Sequence, residues 1–269
     1  MGVFEVRMLS PRVRDQRLFF CLLFGVIVLA WVSLWLWSTS PWGSFLSHQE
    51  NETVGGLGNR YLLIALVFVA GWTLMTIAMM LPTSLPLIAT FRAIVRQREN
   101  RGLLVALVIA GYLAVWIGFA VVVHAGDLGI HRLVDEWGWL HAHAWVIGAA
   151  TFLLAGIFQF TPLKYRCLDK CRSPFGFVMG HWQGRHEHRN ALKLGVDHGA
   201  FCLGCCWSLM LLMFAVGVGN IGWMLVLGAF MALEKNAPWG RRLSAPVGIA
   251  LLLVGVLLAT TATPIADTS

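Results

Sequence analysis

Five of the six cysteines in this chain lie in two short clusters. Cys202 to Trp207 reads Cys-Leu-Gly-Cys-Cys-Trp and opens an apolar segment, whereas Cys167 to Cys171 reads Cys-Leu-Asp-Lys-Cys and lies in a basic segment upstream. Thiolates are preferred ligands of soft and borderline metal ions, and thiols within one helical turn reach the same centre. The spacing therefore indicates a metal site, provided that the two clusters meet in the folded chain.

The soft donors around Cys202 share one side of a predicted helix. At about 100° per residue, they fall within an arc of about 140°. In the second apolar segment, Met79 follows Met75 by one helical turn, and Met80 lies beside it. The predicted metal ligands are therefore Cys167, Cys171, His198, Cys202, Cys205, Cys206, Met79, Met80 and Glu234.

Glu234 stands at the end of the sixth apolar segment, directly before Lys235. A carboxylate so close to hydrocarbon requires a cationic partner. The sequence leaves two alternatives for that partner, which are Lys235 and a cation from another helix.

The elements that must position these residues are membrane helices. The chain is 58% hydrophobic and 12% charged, whereas soluble domains carry about 25% charged residues. We predict a single all-α domain over residues 1–269, a polytopic bundle of about seven transmembrane helices. The predicted spans are Leu18–Trp37, Tyr61–Leu81, Leu103–His124, Leu140–Phe160, His198–Val218, Ile221–Leu233 and Leu243–Thr260.

The basic residues predict the orientation of the bundle. Alternate inter-span segments hold 18 of the 20 Lys and Arg residues, which predicts a cytoplasmic N-terminus and an external C-terminus. Residues 164–197 are then a cytoplasmic loop. The net charge of +7 is explained by this orientation against anionic lipid, so a nucleic-acid partner is not needed. The same alternation supports the short sixth span, with an outward turn at Gly217–Asn220.

Three blocks of the sequence resemble a bacterial family of predicted metal-binding integral membrane proteins with a domain of unknown function. The blocks are Ala78-Met-Met-Leu-Pro82, Cys167-Leu-Asp-Lys-Cys171-Arg172, and the Cys-Leu-Gly-Cys-Cys-Trp sequence at Cys202. The resemblance spans roughly Trp72 to Lys235. It implies metal binding and a location in the bacterial inner membrane.

Three functions fit these residues. The first is binding of copper(I) or zinc for transport or delivery, with the lipid bilayer and a metal-delivery protein as partners. The second is a membrane thiol-disulfide oxidoreductase, although its cysteines face the reducing side if the charge rule holds. The third is a structural subunit with a structural metal. No phosphate-binding loop of an ATP-driven pump is present in the sequence, and we expect a binding protein rather than an enzyme.

Overall fold

The computed structural model describes residues 11–39, 59–182, 186–216 and 220–266, and these residues are helical almost throughout, without a β-strand. The predicted all-α bundle is confirmed. The helices are α1 (Pro11–Ser38), α2 (Asn59–Met79), α3 (Leu85–Ile94), α4 (Arg101–Glu136), α5 (Gly138–Ala142), α6 (Trp145–Phe158), α7 (Pro162–Cys171), α8 (Pro174–His181), α9 (Glu187–Val216), α10 (Ile221–Asn236) and α11 (Ser244–Ala266). Short 3-10 helices, Pro82–Ser84 and Gly240–Leu243, follow α2 and precede α11.

Five helical segments in the described part of the chain are long and apolar enough to cross a membrane. They are Arg17–Ser38, Leu62–Met79, Arg101–Glu136, Glu187–Met213 and Gly240–Thr261. Helices α6 and α7 pass the same test only as a pair, with a bend of 66° between them. Helix α6 lies within the fourth predicted span, and α7 follows that span. Helix α10 corresponds to the sixth predicted span and has 16 residues. This length is slightly below the roughly 17 to 25 residues that cross a bilayer core. The turn predicted at 217–219 lies outside the described residues.

The outer faces of the long helices carry exposed aliphatic side chains. Leu22 on α1 and Leu253 on α11 are 63% and 65% exposed. A soluble monomer rarely exposes large contiguous apolar surfaces of this kind. The pattern is the one expected where the outward surface of a helix contacts lipid.

Proline ends α2 and shapes the chain that follows it. Pro82 has no N–H to donate to the carbonyl of Ala78, four residues earlier, and the indole Nε1 of Trp31 donates to that carbonyl at 3.1 Å instead. The hydroxyl of Thr83 donates to the carbonyl of Met80 at 2.7 Å. The freed backbone groups are thus satisfied inside the bundle, and Met80 and Thr83 are held in its interior.

Helix α9 lies at the centre of the bundle and packs against α4, α6 and α7. Its contact with α4 is too close for a larger residue at Gly195, where an added Cβ would lie 2.1 Å from the carbonyl oxygen of Val108. Small residues allow membrane helices to approach in this way. Because of this central position, side chains on α9 meet residues from several other helices.

Residues 164–197, predicted as a loop, contain helices α7 and α8 and the first part of α9. Helix α7 begins where the hydroxyl of Thr161 accepts a hydrogen bond from the backbone N–H of Lys164 and Pro162 occupies the first turn. Both are strong signals for a helix start. The segment between the predicted spans is therefore largely helical where it is described, and the cap at Thr161 and Pro162 is the sequence signal for its first helix.

Candidate metal centre

Helix α9 presents three thiols to the bundle interior. Cys202, Cys205 and Cys206 are 0% exposed. The Sγ atoms of Cys205 and Cys206 are 3.4 Å apart, and the Cys205 thiol donates to the carbonyl of Cys202 at 3.1 Å. Cys202 and Cys206 lie one helical turn apart on the same side of α9. The helical periodicity of the sequence thus produces a continuous group of sulfur atoms.

Helix α7 brings the second cysteine cluster against the first. The Sγ of Cys171 lies 4.0 Å from the Sγ of Cys205. Cys167, one turn earlier, packs on α9 at Gly204, where an added Cβ would lie 2.6 Å from its Sγ. All of these cysteines are free thiols. The two clusters meet because glycine at position 204 leaves room for the side chain of Cys167.

Cys202 faces a polar region on the other side of α9. The ammonium group of Lys235, on α10, lies 3.0 Å from its Sγ, and the hydroxyl of Tyr112, on α4, lies 3.1 Å from it. Lys235 also contacts the hydroxyl of Thr83 at 3.2 Å and the thioether sulfur of Met80 at 3.9 Å. Side chains from α10 and α4 therefore meet Cys202, and two residues that follow α2 hold the buried lysine beside it.

Glu234 forms a separate ion pair with Lys164 of α7. The Nζ of Lys164 lies 2.8 and 2.9 Å from the two carboxylate oxygens, and the hydroxyl of Ser244 donates to the same carboxylate. Lys164 also donates to the carbonyl of Cys205 at 3.4 Å. Of the two alternatives left by the sequence, the partner of Glu234 is therefore the cation from another helix.

Arg172 secures the adjoining end of α10. Its guanidinium donates to the backbone carbonyls of Glu234, Ala237 and Pro238. The Glu234 carbonyl is among those that the end of α10 leaves without an intrahelical partner, and the other two carbonyls belong to the residues that follow the helix. The arginine that follows the Cys167–Cys171 cluster thus ties α7 to the helix that carries Glu234 and Lys235.

His198 and Met79 lie beside the thiol group and make other contacts. The Nε2 of His198 is 3.2 Å from the hydroxyl of Ser84, and its ring stacks on Tyr112 at a centroid distance of 5.7 Å. Met79 is buried opposite Gly228. The Glu234 carboxylate and the Nε2 atom of His198 are therefore engaged by partners other than the thiols, whereas the buried Nδ1 atom of His198 has no hydrogen-bond partner in the described part of the chain.

The arrangement of the thiols is a chain of sulfur atoms rather than a closed cage. Two thiolates that bind one ion at about 2.3 Å in tetrahedral geometry lie about 3.8 Å apart, and the observed separations of 3.4 and 4.0 Å fall on either side of that value. No group of three or more His, Cys, Asp and Glu side chains in the described residues is placed to hold a metal ion. Chemically, the site offers soft donors in pairs, with a cation beside them.

Sequence reasoning missed the roles of the polar residues that surround the thiols. Lys164 and Lys235 were counted mainly among the cytoplasmic basic residues, but both are buried, at 0% and 5% exposure. Tyr112, one of only three tyrosines in the chain, received no role. Lys164 and Lys235 stand directly at the ends of apolar segments, and Tyr112 lies inside one. These positions were the sequence signal that the three side chains are buried in the bundle.

Comparison with known proteins assigns a family. The family model described as PpoB2, copper chaperone, matches residues 69–258, which include every helix that contributes to the thiol site. No curated protein and no solved structure gives a significant match. The match covers well over half of the 269 residues, and the chain belongs to the PpoB2 copper chaperone family.

Proposed function

We propose that this protein binds copper(I) through its buried thiols within a bacterial inner membrane and delivers the ion to a partner protein. The observation that carries the proposal is the meeting of two cysteine clusters from different helices, with Cys171 and Cys205 4.0 Å apart. A structural bundle does not require free thiols at such spacing. The description of the family as a copper chaperone supports the same reading.

The donor set favours copper(I) over zinc. Thiolate and thioether donors select copper(I), whereas zinc in proteins is held by four ligands that commonly include imidazole or carboxylate. Glu234 pairs with Lys164. His198 contacts Ser84 through its Nε2 atom, while its buried Nδ1 atom has no hydrogen-bond partner among the described residues. Most of the donors available in the site are therefore sulfur atoms.

Cys171 is the position at which the ion enters or leaves. It is partly exposed, in contrast to the fully buried Cys205 and Cys206. The surrounding basic residues favour a cytoplasmic location for this end of the bundle. We therefore propose exchange with a thiol-bearing protein on the cytoplasmic side, by stepwise replacement of one sulfur ligand by another.

The proposal is tested by copper(I) binding to the protein purified anaerobically in detergent. We expect tight binding in competition with a coloured copper(I) chelator, and loss of that binding when Cys171, Cys202, Cys205 and Cys206 are all replaced by Ser. The matched control is Cys21→Ser, because Cys21 is exposed on α1 and far from the site in sequence. Full copper occupancy in the quadruple variant would contradict the proposal.

The same purified protein distinguishes copper delivery from the two alternative functions, a thiol-disulfide oxidoreductase and a structural subunit with a structural metal. A thiol-disulfide oxidoreductase would show thiol groups that titrate with a disulfide substrate whether or not copper is present. A structural metal subunit would unfold when the metal is removed. For a delivery protein we expect that removal of copper leaves the helical content unchanged and that thiol titration is suppressed by bound copper(I).

A further inference from the structure

The site contains two buried lysines, and only one of them has a carboxylate partner. Lys164 is neutralised by Glu234 at 2.8 Å. Within the described part of the chain, Lys235 forms no ion pair with an Asp or Glu, and its contacts are Cys202, Thr83 and Met80. A buried charge is costly unless an opposite charge accompanies it. The group positioned to supply that charge is the sulfur of Cys202, 3.0 Å away.

We propose that Lys235 is the built-in counter-ion of a metal held by the thiolates of Cys202 and Cys206, and that its charge makes the site selective for a monovalent ion. This inference rests on the proposed binding of copper(I) by these thiols. It adds a specificity-determining residue that is not itself a metal ligand.

The charges in the metal complex favour a monovalent ion. Two thiolates and one copper(I) ion together carry one negative charge. The Lys235 ammonium, 3.0 Å from the Sγ of Cys202, neutralises that charge. The low-dielectric interior therefore holds no net charge when copper(I) is bound.

A divalent ion breaks this balance. Zinc in the same two-thiolate site leaves one uncompensated positive charge in the interior. The Glu234 carboxylate does not offset it, because that carboxylate already neutralises Lys164 and accepts from Ser244. Lys235 therefore stabilises the monovalent complex and repels the divalent one.

The geometry allows Lys235 to keep its charge in place while the metal binds. Its ammonium is anchored by the Thr83 hydroxyl at 3.2 Å and lies 3.9 Å from the sulfur of Met80. Thr83 is itself fixed by its hydrogen bond to the Met80 carbonyl. The ammonium therefore keeps its contacts with Thr83 and Met80 when the sulfur of Cys202 binds a metal ion.

The experiment compares silver(I), a monovalent probe that is inert to redox chemistry, with zinc(II) on the detergent-purified protein. In Lys235→Gln we expect silver(I) affinity to fall and the ratio of silver(I) to zinc(II) affinity to drop by on the order of a hundredfold, because a full charge a few ångströms from the ion is removed. Lys235→Arg is the matched control, since it keeps the charge, and we expect its ratio to stay near that of the wild type.

A second variant tests the same idea while Lys235 is retained. Thr83→Asp places a carboxylate beside the ammonium, and we expect it to lower the ratio as Lys235→Gln does. Thr83→Asn has nearly the same shape without the charge and should leave the ratio close to wild type. This pair gives an answer even if Lys235→Gln does not fold.

The outcomes distinguish this inference from the proposed function. If the wild type binds silver(I) and copper(I) but neither Lys235→Gln nor Thr83→Asp changes the ratio, the counter-ion role is refuted and copper binding stands. If the wild type binds neither ion, both proposals are refuted.

Discussion

At the scale of single residues, Lys164 and Lys235 show how position decides the role of a charge. Both are lysines at the ends of apolar segments, and both are buried. One is paired with a carboxylate and joins α7 to α10, and the other is paired with a thiol. A buried ion pair contributes little net stability, but removal of one member leaves the other charge without compensation.

The Lys164–Glu234 pair is tested by Glu234→Gln. We expect a loss of about 3–5 kcal/mol in the free energy of unfolding, because Lys164 would remain buried without its counter-charge. Unfolding of the purified protein in mixed micelles measures this loss. The double variant Lys164→Met/Glu234→Gln removes both charges and should recover most of the stability. If the single and double variants are equally unstable, the cost does not come from the orphaned charge.

At the scale of helices, the contact between α7 and α9 decides whether the two cysteine clusters form one group. The contact depends on Gly204, since the side chain of Cys167 occupies the space that any larger residue would need. Thr161 and Pro162 start α7 at the correct point for this contact. The spacing of the cysteines in the sequence becomes meaningful only through the packing of these two helices.

The substitution Gly204→Ala tests this contact. The new methyl group would lie 2.6 Å from the Sγ of Cys167, and we expect a loss of about 1–3 kcal/mol in stability from overpacking. Replacement of Cys167 by Ala in the same chain removes the clashing sulfur and should restore stability, because the Cβ atom of Cys167 is 3.4 Å from the added Cβ. Cys171→Ala is the control and should give no rescue. Rescue by both alanine variants would contradict a specific contact.

At the scale of the whole molecule, the distribution of basic residues predicts a direction in the membrane. Helices α10 and α11 are joined by a basic segment that contains Arg241 and Arg242, which the positive-inside rule assigns to the cytoplasm. The C-terminus, one span later, is then external. This predicted orientation puts the partly exposed Cys171 on the cytoplasmic side.

Reporter fusions test the orientation. A reporter that is active only outside the cytoplasm should be inactive when fused after Lys235 and active when fused at the C-terminus, because α11 separates the two positions. A fusion directly after Arg101, in another basic segment, should be inactive as well. Equal activity at Lys235 and at the C-terminus would overturn the predicted topology.

The sequence alone determined the features that depend on local patterns. Composition and apolar segment length predict the helices, and the helical period places Cys202, Cys205 and Cys206 together on α9. Helix periodicity is a property of neighbouring residues, so it can be read without the fold. The sequence also identified Glu234 as a carboxylate in need of a cation.

Only the tertiary structure decided which distant residues meet. Lys164 is 70 residues from Glu234, Lys235 is 33 residues from Cys202, and Cys171 is 34 residues from Cys205. Such contacts depend on the angle and distance at which whole helices pack, which are decided by side-chain shape across several interfaces. For this reason the sequence grouped the thiols, whereas the pairing of Lys164 with Glu234 and of Lys235 with Cys202 emerged only from the packed bundle.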